Sequence, residues 1–456
     1  MLAILLTSVT VFLLTTSHYA VAWLPAGGAA TMLLLANRPA VGFFVLVFLF
    51  PFAAIREVGG IKIHWLISLA LLLLMAIQLY ADRETVSRMR GRLWPALLFL
   101  LFVNVFSAIF SEYPDTAWGT VVDLLLGGLF LLIALFFAGT ENTLKALAWV
   151  IVCSVAGGAL FAVLDTFLGI NVLGIDADGP GMAQSKGLTL SHNALSLMII
   201  VAIPLAVHNA WHANSVLVRF AALILLAIII FGMLATYSRG GFLLTLLALA
   251  LVTLQNRNAI NKLHVGLFLM MCVAAPGLLY VAAPEGYFSH QTTLYDENTG
   301  SIDRRVTYLE VAKDAFFERP LIGHGPNAFR DIYAQSAQAR RFAKEDTSNR
   351  RYAHNTYVDV LIGTGLLGLA AWLGVLILAL ANYTRAVSIA AEKGQAVLQY
   401  LFASYRLSLL LLSAYMLIKS AQDNKYLWLL LAVSDLSLRI ARVAHPKTKR
   451  EADACD

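Results

Sequence analysis

Runs of about twenty apolar residues recur along the whole sequence, and that recurrence restricts the fold more than any other feature. A helix needs roughly 20 such residues to cross the hydrocarbon core of a bilayer. Backbone groups in lipid must be satisfied within the segment, which leaves helices or closed barrels. The runs lack the period-2 alternation of a barrel strand, so the chain is expected to be all-α and polytopic. Composition agrees: 59% of residues are hydrophobic and 13% charged, against about 25% charged in an ordinary soluble domain. Mean hydropathy is +0.75.

Fourteen segments fit as spans: 1–16, 19–36, 40–56, 62–80, 93–111, 118–138, 144–168, 188–208, 216–236, 240–255, 263–283, 356–382, 400–420 and 424–440. The first two are short and the second contains Pro25, so the expectation is 12–14 transmembrane helices. Met1 to Thr16 has no basic leading region and no small-residue cleavage site, and reads as a retained span. Basic residues group in the loops at 82–92, 256–262 and 383–399 and in the tail after 440, which places these on the cytoplasmic side. The net charge of +6 then reflects cytoplasmic loops and not nucleic-acid binding. Cys153, Cys272 and Cys455 are far apart and show neither a disulfide framework nor a zinc spacing.

The organisation expected is a helix bundle over 1–283, a loop domain over 284–355 on the non-cytoplasmic face, C-terminal spans over 356–440 and a cytoplasmic tail over 441–456. The loop should fold. From Asp303 to Glu318, Val306, Leu309, Ala312 and Phe316 share a helical face. Pro320 and the Gly323-His-Gly325-Pro326 turn stop that helix, and Asn327 is placed to cap a second one reaching about Lys344. Two such amphipathic helices would roof a cavity at the membrane surface.

No P-loop, GxSxG or HExxH motif occurs. The chemistry must come from polar residues at span ends. Arg239, in TYSRGGF, sits between two apolar runs, where an arginine either faces a cavity and a partner or snorkels to headgroups. Arg304 and Arg305 begin the loop helix, where basic residues oppose the helix dipole unless an anion is near; the alternative is a solvated helix start. His354, at the entry to the span after the loop, can act as a general base near neutral pH; the alternative is an interfacial histidine, with Arg350 and Arg351 beside it as lipid anchors. Lys186, His192, Asn193 and Asp423 fall on the same face, and Asn355 adjoins His354. Asp123 and Asp165 lie near span ends. Two arginine sites and one base on one face suit a phosphate-bearing substrate, because guanidinium groups fork onto phosphate oxygens.

With these motifs the chain resembles the O-antigen ligase and polymerase family of bacterial envelope polysaccharide enzymes. The resemblance rests on SRGG at 238–241, on Arg305 fifteen residues before P-L-x-G-x-G (320–325), on HNTYVDVLIGTGLLG at 354–368, and on SHN at 191–193. It covers the C-terminal 60% or so of the chain; the N-terminal third matches only in hydropathy. The resemblance implies a glycosyltransferase of the inner membrane, with its active site facing the periplasm and an undecaprenyl-diphosphate-linked glycan as donor. Ligases of the family place that glycan on lipid A–core, polymerases join repeat units, and a further branch glycosylates proteins. It implies that Arg239 and Arg305, with Arg304 as its competitor, hold the diphosphate and that His354 activates the acceptor hydroxyl. One departure stands out: the family often has an arginine before its earlier asparagine motif, where this chain has Gln184 and Lys186. Lys186 is the point charge available there. No metal or cofactor is expected. The rival from another class is a transporter or lipid flippase, which the span count would fit but for which no inverted repeat is visible.

Overall fold

The computed structural model describes residues 38–53, 57–58, 61–170, 185–189, 191–256, 301–341 and 350–443. The expected spans at 1–16, 19–36 and 263–283 lie outside them. The other eleven expected spans each contain a helix: α1 (Pro39–Phe48), α2 (Ile63–Ala81), α3 (Trp94–Ile109), α4 (Pro114–Phe137), α5 (Glu141–Leu168), α6 (His192–Trp211), α7 (Val216–Ala235), α8 (Arg239–Gln255), α12 (Thr356–Glu392), α13 (Ala396–Tyr415) and α14 (Lys425–Val443). Between α8 and α12 lie α9 (Ser301–Glu318), α10 (Phe329–Gln335) and α11 (Ala337–Arg341). A two-residue ladder, Glu57–Val58 against Ile61–Lys62, is the β structure among the described residues.

Seven of these helices are long and apolar enough to cross a membrane, or eight if α3 is joined to the 3-10 helix Arg83–Met89 before it. The chain is a multi-pass membrane protein. The helices α1 and α8 are shorter apolar pieces, and α14 carries Asp435, Arg439 and Arg442.

The core centres on α6, whose residues from Leu195 to Ala210 are all buried. It packs against α5, α7, α8 and α13, while α12 packs against α3, α13 and α14. The contacts at the bundle ends show which connecting segments belong together. At one end Arg439 donates to the Arg88 carbonyl at 2.6 Å, Lys393 to the Arg442 carbonyl at 2.8 Å, and Asp435 accepts from the Arg92 and Leu93 amides at 3.0 and 3.1 Å. The basic segment at 82–92 and the C-terminal end of α12 therefore share an end; the loop expected at 383–399 is mostly helix, since α12 runs to Glu392 and α13 starts at Ala396. The opposite end holds the starts of α6, α8 and α12.

At that opposite end α12 is broken. Gly365 has φ 66° and ψ −165°, a region essentially restricted to glycine. The break leaves backbone groups of a membrane helix without their usual partners, and the loop after α9 supplies replacements. His324 N donates to the Ile362 carbonyl (3.0 Å), Gly325 N to Gly363 (2.8 Å), and Leu366 N to Pro320 (2.8 Å). The Ser107 hydroxyl, from α3, sits between the Ile322 and Gly363 carbonyls at 2.7 and 2.9 Å. Such non-helical backbone is tolerated at membrane depth when protein buries it. The glycines of P-L-I-G-H-G permit the approach: a Cβ on Gly323, at φ 68°, would overlap the backbone of Gly363, and one on Gly365 would overlap the Leu321 carbonyl. Gly365→Ala is expected to destabilise the protein by about 2 kcal/mol or more through a forbidden dihedral and this overlap. A thermal melt of the detergent-solubilised protein measures it.

The residues over this end follow the expected outline but differ in detail. The buried face of α9 is Tyr308, Val311, Ala312 and Ala315, packed with Phe329, Tyr333, Ala339, Ala353 and Ile362. Val306 and Leu309, expected on the buried face with Ala312 and Phe316, are exposed. Two apolar stripes compete on this helix, and the aromatic cluster of Tyr308, Phe329 and Tyr333 takes one of them; the Tyr308 and Tyr333 rings are 4.7 Å apart, edge to face. Asn327 does not cap a helix. It takes φ 61°, and the helix that follows begins at Phe329 without a side-chain cap. The expected second helix is two short ones, because Ser336 adopts extended backbone and its hydroxyl then accepts from Ala339 N at 3.1 Å. Residues 342–349, including Lys344, lie outside the described residues, as does most of the loop before Ser301. The covering elements are tied to the bundle by Arg350 with Asp331 (2.5 Å) and Thr116 (2.7 Å), and by Arg319 with Glu112.

Candidate functional site

Each of the polar motifs at this end begins a helix, and each supplies its own cap. Ser191 accepts from Ala194 N (3.2 Å) at the start of α6, Ser238 from Gly241 N (3.2 Å) at the start of α8, and Asn355 from Tyr357 N (3.0 Å) and Val358 N (3.3 Å) at the start of α12. Side-chain oxygens at these positions satisfy amides that have no intrahelical partner. Asn355→Ala should cost about 1 kcal/mol of stability, read as a lowered melting temperature.

The three starts are joined. Ser238 Oγ donates to Asn193 Oδ1 at 3.4 Å, and Tyr415 OH to the Asn193 carbonyl at 3.0 Å. Thr356 N donates to the Met416 carbonyl at 2.8 Å and its hydroxyl to the Lys419 carbonyl at 2.8 Å. The chain end of α13 is thus the hub between α6, α8 and α12. The two glycines after Arg239 let α8 enter this hub: a Cβ on Gly240 would overlap Ile418, and one on Gly241 would press on Ser196.

Arg239 is the first residue of α8. It is half-buried, and it has no hydrogen-bond or ion-pair partner among the described residues. No acidic residue occupies the first turn of α6 or α8. Helix N-termini carry a partial positive charge, and a cation on one, partly withdrawn from water and without a counter-charge among the described residues, favours an anion over a further cation. Lys186 belongs to the same neighbourhood: Ser185 N, beside it, donates to the Ala235 carbonyl at 3.2 Å, at the end of α7.

His354 adopts φ 53°, a conformation uncommon outside glycine. The residue is fixed from both sides. Ala353 N donates to Asp359 Oδ1 at 3.0 Å, and Asn355 caps α12. Its ring lies 5.8 Å from that of Tyr308. Arg305 and Arg304 precede Tyr308 by three and four residues, one turn back along α9; their side chains lie outside what the structure describes.

Residues 222–373, the stretch that contains Arg239, α9, the glycine loop and His354, match the family model described as O-Antigen ligase. The chain carries an O-antigen ligase domain. That stretch is similar to the membrane glycosyltransferases of the ligase and polymerase type and lies within a multi-pass membrane protein. The chain has no match among curated proteins.

Within and around the ligase domain the structure sorts the remaining residues singled out in the sequence. Asn355 caps its own helix, Asn193 joins the helix starts, and His192 leads α6 with its Nε2 2.9 Å from Asn193 Nδ2. Asp423 is set apart: it is exposed and lines a separate cavity with Asp123 and Asp359. Asp165 is near the end of α5. Sequence reasoning missed Asp359, Tyr308 and Tyr415. The spacing of Asp359, five residues after His354, is the one signal that could have suggested its bond back to residue 353.

Proposed function

We propose that the protein is an inverting O-antigen ligase that moves a glycan from undecaprenyl diphosphate to a hydroxyl of lipid A–core, on the periplasmic side of the bacterial inner membrane. The observation that carries this is Arg239, a half-buried cation with no partner among the described residues, at a helix start that is tied to the His354 segment. Lipid-linked diphosphate supplies the missing counter-charge.

The acceptor oxygen attacks the anomeric carbon of the donor sugar, and the bond from that carbon to the phosphate oxygen breaks. The electron pair leaves with the diphosphate, whose developing charge Arg239 and Arg305 stabilise, with Arg304 or Lys186 in support. Neutral His354 takes the acceptor's proton. A single displacement inverts the anomeric configuration. The apolar faces of the bundle receive the polyprenyl chain, and α9 to α11 cover the reacting ends and limit their freedom.

The charge on the leaving group is met by guanidinium groups, so transfer should continue in excess EDTA. Loss of activity that added Mg2+ restores would overturn that expectation. The acceptor is tested in membranes lacking the protein: lipid A–core without glycan supports the ligase, while lipid A–core capped with single repeats would indicate a polymerase.

A further inference from the structure

The end of the bundle opposite the ligase site gathers arginines around one carboxylate. Asp435, on α14, sits among them, but neutral donors take up its oxygens. Oδ1 accepts from the Arg92 amide (3.0 Å) and from Asn382 Nδ2 (2.8 Å), and Oδ2 accepts from the Leu93 amide (3.1 Å). The charges of Arg92 and Arg439 flank that carboxylate. Neither they nor Arg88 makes an ion pair among the described residues, where the ion pairs lie elsewhere.

The three side chains are held in place. Arg439 donates to the Arg88 carbonyl at 2.6 Å and to the Leu135 carbonyl at 3.1 Å, which closes the C-terminal ends of the 3-10 helix Arg83–Met89 and of α4. A Cβ on Gly139 would overlap its Nη2. Arg88 lies over the Phe136 ring, 5.5 Å from its centre, and close enough to Arg439 for the two charges to oppose each other. Arg92 reaches Asn382 Oδ1 only at 3.4 Å. Arg88 and Arg92 are exposed and Arg439 half-buried. Like charges fixed side by side without an ion pair raise the energy of this end, and an anion between them lowers it.

The level of the cluster selects the anion. Beyond Asn382 and Asp435, α12 and α14 run on by about 15 and 12 Å, to Glu392 and Val443. α3 begins beside Asp435, and the 3-10 helix lies at 71° to it, across the bundle end. That segment exposes Val86, and Trp94 Nε1 donates back to the Met89 carbonyl at 2.8 Å. Cations with apolar and indole side chains at a span end are the composition of the headgroup layer. The acidic residues of the segment, Asp82 and Glu84, stand at its α2 end, away from Arg88 and Arg92 in sequence.

We infer that Arg88, Arg92 and Arg439 form a binding site for the phosphate of an anionic phospholipid in the leaflet at this end. Guanidinium groups fork onto phosphate oxygens, and the already fixed Arg439 loses little freedom on binding. The lipid phosphate bridges the starts or ends of α3, α4 and α14. The site is remote from Arg239 and His354 and stands or falls without the transfer reading.

The test is native mass spectrometry of the full-length protein in a non-ionic detergent, titrated with phosphatidylglycerol and, separately, phosphatidylcholine. Phosphatidylglycerol should be retained saturably and phosphatidylcholine should not. Arg88→Lys combined with Arg92→Lys keeps the net charge and loses two forks, so it should weaken retention about tenfold, as expected on losing charge-assisted hydrogen bonds. Arg83→Gln removes a charge from the far end of the segment and should change retention little. The lysine variant leaves the Asp435 and Arg439 bonds in place, and its melting temperature checks that it folds; Arg88→Lys alone serves if it does not. Equal retention of the two lipids, wild-type retention by the lysine variants, or an equal loss in Arg83→Gln means diffuse attraction to a basic surface and overturns the site. Displacement of the lipid by inorganic phosphate at equal concentration makes it a site for dissolved anions and overturns the lipid assignment.

Discussion

His354→Ala is expected to lower glycan transfer by about 10²–10⁴-fold, the range contributed by a positioned general base, while the protein still inserts and folds. The structure favours a clean reading of this variant. His354 contributes its left-handed backbone and a ring set beside Tyr308, while the helix that follows is capped by Asn355 and anchored by Thr356. Loss of the imidazole leaves those anchors in place. Alanine disfavours φ 53°, so a modest drop in melting temperature should accompany the change; His354→Asn, which tolerates that conformation better, separates the two effects. Wild-type transfer by either variant would remove His354 from the mechanism and return it to an interfacial role.

Arg239→Lys should lower transfer by about 10²-fold or more, comparable with removing one donor from an oxyanion-stabilising set. The substitution keeps the charge and loses the planar fork that engages two phosphate oxygens at once. The glycines after Arg239 hold the first turn of α8 against Ile418 and Ser196, so a lysine's ammonium starts from the same backbone position. A membrane anchor would tolerate lysine well, because snorkelling needs only a long stem and a charge. Near-full activity of Arg239→Lys would therefore identify Arg239 as an anchor.

The sequence disclosed the architecture more fully than the packing. Apolar runs located eleven of the fourteen α-helices that the structure describes, because burial in lipid leaves little choice of backbone. Arg239 and His354 were legible because charge at the ends of apolar runs is costly. Their caps were legible as residue types but not as a joined set: the link from Ser238 through Asn193 to Tyr415 spans more than 200 positions. The face of α9 was misjudged because Val306 and Leu309 form as plausible a stripe as Tyr308 and Val311, and only the aromatic partners Phe329 and Tyr333 decide between them. Gly365 meets the glycine loop after α9, a pairing that periodicity does not reveal. Asp359 lay hidden for the same reason, since its cavity is assembled from α3, α4, α12 and the start of α14.

The most direct test is reconstitution of the purified protein in liposomes with an undecaprenyl-diphosphate glycan and lipid A–core, followed by analysis of the product linkage. The account predicts a new glycosidic bond of inverted anomeric configuration, formed by the wild type and not by His354→Ala or Arg239→Ala. Retention of configuration, or movement of the lipid across the bilayer without a new bond, would contradict it.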